Sequence, residues 1–107
     1  IELASAAAEQ VHPSHSRIGS VASGDQFICG KEQKDKIIEN TGGICTEMEG
    51  ASIAHTAWRN GCPFVIIRAI SDKADDSAEM DYPTFEAIAA KACASVTCKF
   101  VEKLKNQ

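Results

Sequence analysis

Apolar residues return along this chain with two spacings, and each spacing predicts a different kind of element. "IELASAAAEQV", Ile1 to Val11, is small and apolar with Glu2 and Glu9 outward, which predicts a helix. "HPSHS" breaks it, because Pro13 cannot continue a helical ladder. Ile18 and Val21 mark a strand from about Arg17 to Ala22, and Ser23-Gly24-Asp25-Gln26 reads as a loop leading to Phe27 and Ile28. "KEQKDKIIEN" predicts a short charged helix, stopped by Thr41-Gly42-Gly43.

The second half repeats this grammar. "GICTEM" predicts a short strand, and Glu49 to Asn60 a helix in which Ile53 and Ala57, then Ala54 and Trp58, recur at helical spacing. Asn60-Gly61 and Pro63 close that helix. "FVIIRAI", Phe64 to Ile70, is a nearly continuous apolar run rich in β-branched residues, the pattern of a strand buried on both faces of a parallel sheet. "SDKADDSAEMDYP" reads as an acidic loop. The last helix is expected from about Thr84 to Leu104, with Phe85, Ile88, Ala89, Ala92, Val96, Phe100 and Leu104 on one stripe.

Strand and helix in alternation predict the α/β class, a parallel sheet covered by helices. A length of 107 residues allows one domain at most. Three strands make a small sheet with open edges, which would invite pairing. The chain also opens on Ile1 in what reads as a helix already under way. It is therefore expected to be a piece of a longer protein whose other strands lie elsewhere.

Composition removes several function classes. The net charge is −4, and no Lys/Arg cluster offers a face for phosphates, so no nucleic-acid partner is expected. No apolar run approaches the roughly 18 residues of a membrane span, and no signal-peptide pattern is present. Five cysteines, an odd number without a C-x-x-C pair, fit a reducing, cytoplasmic compartment. His12 and His15 flank Pro13 with no cysteine nearby, so "VHPSHS" reads as a polar turn and no metal site is expected.

Three segments could carry chemistry. In "CTEMEGAS", Thr46-x-x-Glu49 matches a capping box, with Thr46 and Glu49 each bonding the other's end of the first helical turn. The same residues follow a strand's carboxyl end, where parallel α/β sheets bind ligands. Arg68 interrupts an apolar strand, and a buried guanidinium needs a ligand or a carboxylate, for which the glutamates of "EMEG" are candidates. Ser71 and Asp72 follow at that strand's end, as a helix cap or as pocket residues. The glycines of "SGDQFICG" match neither a phosphate loop nor a dinucleotide fingerprint.

Taken together, "SGDQF", "EMEGASIAHTAWRNGCPFVIIRAISDKAD" and the closing amphipathic helix resemble the carboxy-terminal half of the 5′-methylthioadenosine/S-adenosylhomocysteine nucleosidases, of the nucleoside phosphorylase superfamily. The resemblance runs over nearly the whole chain. It implies a nucleoside phosphorylase-like fold, a central mixed or parallel sheet flanked by helices, of which residues 1–107 are the carboxy-terminal portion and the amino-terminal half is missing. It implies hydrolysis of a nucleoside's N-glycosidic bond in methionine salvage and nucleoside catabolism. Phe27 would pack on adenine and Ile28 meet the base through its backbone. Met48 would pack on the ribose, Glu49 would accept from the ribose hydroxyls, and Glu47 is carried over as a pocket residue. Arg68 would lie near the water and the sugar face, Ser71 would support the acid, and Asp72 would protonate N7 of the leaving adenine.

The chemistry suits those residue types, since breaking the bond leaves negative charge on the base that a positioned acid relieves. A second carboxylate activates water, as in glycosidases. The resemblance puts that base in the absent half, so the 107 residues alone are expected to be inactive. It also implies a homodimer, and protonation with water attack calls for no cofactor. Two alternatives stand beside it: a purine nucleoside phosphorylase or other nucleosidase of the superfamily, and a noncatalytic nucleoside-binding or oligomerisation module.

Overall fold

A computed structural model describes residues 1–107, side chains included except at position 80. The elements run α1 (Glu2–Val11), β1 (Val21–Ser23), α2 (Lys31–Thr41), β2 (Cys45–Glu47), α3 (Gly50–Arg59) and α4 (Ala78–Lys105). The molecule measures 44 × 32 × 20 Å, and its short dimension holds two layers of roughly 10 Å helix width.

β1 and β2 pair in parallel through the α2 crossover, with Val21 opposite Cys45, Ala22 opposite Thr46 and Ser23 opposite Glu47. One further bond continues the ladder at each end: Ile44 N–H donates to the Ser20 carbonyl at 2.9 Å, and Gly24 N–H to the Glu47 carbonyl at 3.1 Å. Parallel pairing brings both carboxyl ends, and the loops that leave them, to one side. Gly42 stops α2 as its sequence predicts. Its φ of 65° is left-handed, which glycine adopts without steric cost, and its N–H closes the helix on the Ile38 carbonyl at 2.8 Å.

The second layer is α1 against α4. Ala4 and Ala7 of α1 are buried, as are Ala78 and Val96 of α4, so small side chains let the two helices approach closely. The expected α4 stripe is covered only in part. Val96 is buried and Ala89, Ala92 and Phe100 half-buried, but Phe85, Ile88 and Leu104 are exposed. On α3, Ile53 and Trp58 likewise stand exposed.

Three expectations need correction. Phe64–Ile70 forms no strand: Val65, Ile66 and Ile67 are half-buried, but the segment pairs with no strand among the described residues. An apolar run supplies the faces of a strand, whereas the strand itself exists only through a neighbour's backbone. The sheet here therefore has two strands. The strand expected from Arg17 shrinks to Val21–Ser23, leaving Ile18 exposed. And α4 begins at Ala78, six residues before Thr84, with Pro83 inside it. Asp75 accepts from the Ser77 N–H at 3.0 Å and from its hydroxyl at 2.7 Å, and Asp81 N–H donates to the Ser77 carbonyl at 2.9 Å. Glu79 and Asp81 thus sit in a first helical turn, where the helix dipole favours acids.

Ala7 has no exposed surface and lies where α1 meets α4. Ala7→Leu should force the helices apart and lower stability by about 1–3 kcal/mol. A urea melt reads this as a lower midpoint at unchanged slope, and an unmoved midpoint would show that the interface has room.

Candidate active site

Glu47 closes β2 and is the one buried charged residue among those described, its side chain 2% exposed. Its Oε2 accepts from Gly50 N–H at 2.6 Å and from Glu49 N–H at 3.1 Å. These are orphan donors of the first turn of α3, so Glu47 caps that helix from the strand before it. The capping box expected between Thr46 and Glu49 does not form. Thr46 belongs to β2, α3 starts at Gly50, and its N-cap residue Glu49 makes no side-chain cap bond. A carboxylate at Glu47 reaches the same amides from beneath.

Ser23, at the end of β1, ties the strands to α3. Its Oγ accepts from Ala51 N–H at 2.9 Å, and its hydroxyl faces the Glu47 carboxylate. Arg68 joins the group from the third segment, but its guanidinium is exposed rather than buried as expected, because its side chain leaves the apolar run at the molecule's surface. Its Nη2 lies 3.4 Å from Glu49 Oε2 and its Nη1 4.0 Å from Glu47 Oε2. Burial alone would raise the Glu47 carboxyl above its ordinary 4.5. The Ser23 hydroxyl, the amides of Gly50 and Glu49, and Arg68 together outweigh burial and hold it lower.

Glu49 differs from Glu47 in every respect that matters to a ligand. Its side chain is 60% exposed, and beyond Arg68 its Oε2 accepts only a local bond from Met48 N–H, at 3.2 Å. Met48, between the two glutamates, is also exposed. Phe27 stands exposed beyond β1, while the side chain of Ile28 is buried and anchors the loop.

Tyr82, expected in a loop, lies in α4 instead. Its ring meets Phe27 edge-on, centroids 5.7 Å apart and planes 74° apart. Its hydroxyl donates to Glu86 at 3.2 Å. The Glu86 charge raises the phenol's proton affinity most, with Glu49 adding to it and Arg68 opposing. Tyr82 therefore stands in the field of the same pair. The signal that could have found it is its place one helical turn before Glu86, in an acidic stretch able to open a helix.

Asp72 lies four residues beyond Arg68 and is half-buried. Ser71 Oγ donates to its Oδ2 at 2.9 Å and Ala74 N–H to its Oδ1 at 2.8 Å, with Ala74 in the left-handed region at φ 53°. Each oxygen keeps lone-pair capacity for a further donor. Lys34 of α2 donates to the Lys73 carbonyl at 2.9 Å and so ties this turn to the helix that follows the Phe27 loop.

The structure thus gathers Phe27, Met48, Glu49, Arg68 and Tyr82 beyond the strands' carboxyl ends. A depression of about 450 Å³ lies between Lys31, Lys34 and Asp35 at the start of α2 and the turn at Lys73 to Ser77. No group of His, Cys, Asp and Glu with metal-site geometry occurs among the described residues. No described helix is long and apolar enough to cross a membrane.

The phosphorylase superfamily model matches residues 1–102. The chain belongs to that superfamily. It is 44% identical over 88 residues to 5′-methylthioadenosine/S-adenosylhomocysteine nucleosidase of Treponema pallidum, an alignment covering 80% of this chain and 33% of the relative. It is 43% identical over 88 residues to aminodeoxyfutalosine nucleosidase of Campylobacter jejuni, covering 82% of this chain and 38% of that one. The nucleosidase of Neisseria meningitidis, solved with methylthio-immucillin-A, superposes with a TM-score of 0.90 at 34% identity, over 95% of this chain and 45% of its own. The chain therefore spans between a third and a half of the length of these superfamily members.

In the folded state Glu47 binds its proton less readily than in the unfolded state. Its stabilisation should be complete above about pH 4.5 and be lost as pH falls below that value. Glu47→Gln should flatten this acid limb. Urea melts at descending pH would read it, and an unchanged limb in the variant would assign acid sensitivity to another group.

Proposed function

We propose that this chain is the carboxy-terminal portion of a cytoplasmic, homodimeric nucleosidase that hydrolyses the N-glycosidic bond of 5′-methylthioadenosine and S-adenosylhomocysteine. One observation carries the reading: an exposed carboxylate, Glu49, paired with Arg68 at the strand ends where Phe27 also stands. A sugar needs acceptors for its hydroxyls, and a purine needs an aromatic wall. Both stand here on one shelf.

In this reading Phe27 packs on adenine, and Ile28 meets the base through backbone that its buried side chain holds still. Met48 packs on the ribose while Glu49 accepts from its hydroxyls. Arg68 holds Glu49 and lies near the attacking water. Asp72 delivers a proton to N7 as the bond to the sugar breaks, supported by the bond it accepts from Ser71. The carboxylate that activates water is assigned to residues outside this chain, and the 107 residues alone should release no adenine.

The identity to the Campylobacter jejuni relative supports a second substrate reading, an aminodeoxyfutalosine nucleosidase with the same base and sugar contacts. Adenine release by the full-length enzyme from each nucleoside, with and without phosphate, separates the two. Dependence on phosphate would make it a phosphorylase instead.

Asp72→Asn in the full-length enzyme should leave nucleoside binding largely intact and cut kcat by at least about 10²-fold. Asparagine keeps the shape and can still donate a hydrogen bond to N7, but it cannot surrender a proton. The loss belongs to the transition state, so it should appear in kcat with little change in affinity. Near-normal turnover would reduce Asp72 to the organiser of its turn.

A further inference from the structure

Glu47 is chemically conspicuous because it is a carboxylate shut away from water. Oε2 takes the two amides of α3 and the Ser23 hydroxyl faces the carboxylate, while Oε1 is sealed from solvent and accepts no backbone amide. The space around it is also restricted. A Cβ added at Gly50 would sit 2.7 Å from Oε1 and 3.0 Å from Cδ, closer than atoms pack. Position 50 therefore has to be glycine for the carboxylate to lie where it does.

What that carboxylate holds is the sugar end of the proposed site. It fixes the amides of Glu49 and Gly50, which set the direction in which Glu49 leaves the backbone. It also shares Arg68 with Glu49, at 4.0 Å against 3.4 Å. We propose that Glu47 is a positioning residue rather than a substrate contact: sealed under α3, it sets Glu49 and Arg68 in the attitude that receives the ribose, and Gly50 makes the room. This rests on the nucleosidase reading above. It revises the simple assignment of Glu47 to the pocket wall, since a side chain 2% exposed offers a ligand no surface.

The consequence is selective. Disturbing Glu47 should injure recognition of the sugar and spare recognition of the base, which depends on Phe27 and Asp72. Two variants of the full-length enzyme approach the same carboxylate by different routes. Glu47→Gln removes its charge and places an N–H₂ among donors. Gly50→Ala leaves the glutamate in place and pushes it aside. For both, kcat/KM for methylthioadenosine should fall about 10²-fold, the scale of a reacting group misplaced by an ångström, with KM raised. The inhibition constant of free adenine should stay at its wild-type value.

Wild-type kinetics in Glu47→Gln would overturn the proposal. So would parallel loss of nucleoside and adenine, or failure of both variants to fold, since either assigns Glu47 to stability alone. A wild-type enzyme that releases no adenine from any nucleoside would sink the nucleosidase reading, and this inference with it. An active wild type with an unselective Glu47→Gln sinks this inference only.

Discussion

A carboxylate that water cannot reach has to be answered by the chain, and Glu47 is answered from three directions. Below it is the end of β1, through Ser23. Above it are the first amides of α3. Beside it is Arg68, reaching over from the 62–70 segment. Three stretches remote in sequence are thereby fixed relative to one another by a single side chain. The site inherits its order from that convergence: Glu49 is aimed by the backbone that Glu47 caps, and Arg68 spans both glutamates. Of the two glutamates that flank Met48, one is buried and bound by the protein and the other stands exposed.

The convergence is possible because β1 and β2 run parallel. An antiparallel pair would put the residues after Ser23 and those after Glu47 at opposite ends of the sheet. The α2 crossover makes the parallel arrangement, and the left-handed Gly42 turns the chain back into β2 at the right point. The resulting shelf lies beyond the carboxyl ends of the strands, where open α/β sheets bind ligands.

Much of this was legible in the sequence where local rules decide the outcome. Thr41-Gly42-Gly43 stops α2 because only glycine takes the left-handed turn cheaply, and the rule needs no tertiary partner. The expected ion pair of Arg68 with the "EMEG" glutamates forms, although Arg68 is exposed rather than buried. Expectation failed where the outcome depends on a distant partner. The Phe64–Ile70 run has every intrinsic feature of a strand but no neighbouring backbone among the described residues. The capping box around Thr46 was a sound local pattern, displaced when Glu47 reached the same amides from the strand beneath. Charge density misled at Asp75 to Asp81. Acids there read as loop, yet acids suit the first turn of a helix equally well.

That early start of α4 also bears on the surroundings of Phe27. Asp75 and Ser77 organise the turn, Ser77 caps by accepting Asp81 N–H, and Tyr82 is thereby carried on a helix rather than a loop. A helical Tyr82 has fewer positions open to it, and its hydroxyl is further restrained by Glu86 one turn on. Its ring can then brace Phe27 edge-on, so the aromatic proposed to face adenine is supported from α4 and not only from its own loop. The two ends of the shelf are built by the same device: a carboxylate captures the first amides or hydroxyls of a helix, and the helix presents the neighbouring side chain. Glu47 does this for Glu49, and Asp75 and Ser77 do it for Tyr82. Rigid elements thus supply the precision, and the loops between them supply the residues.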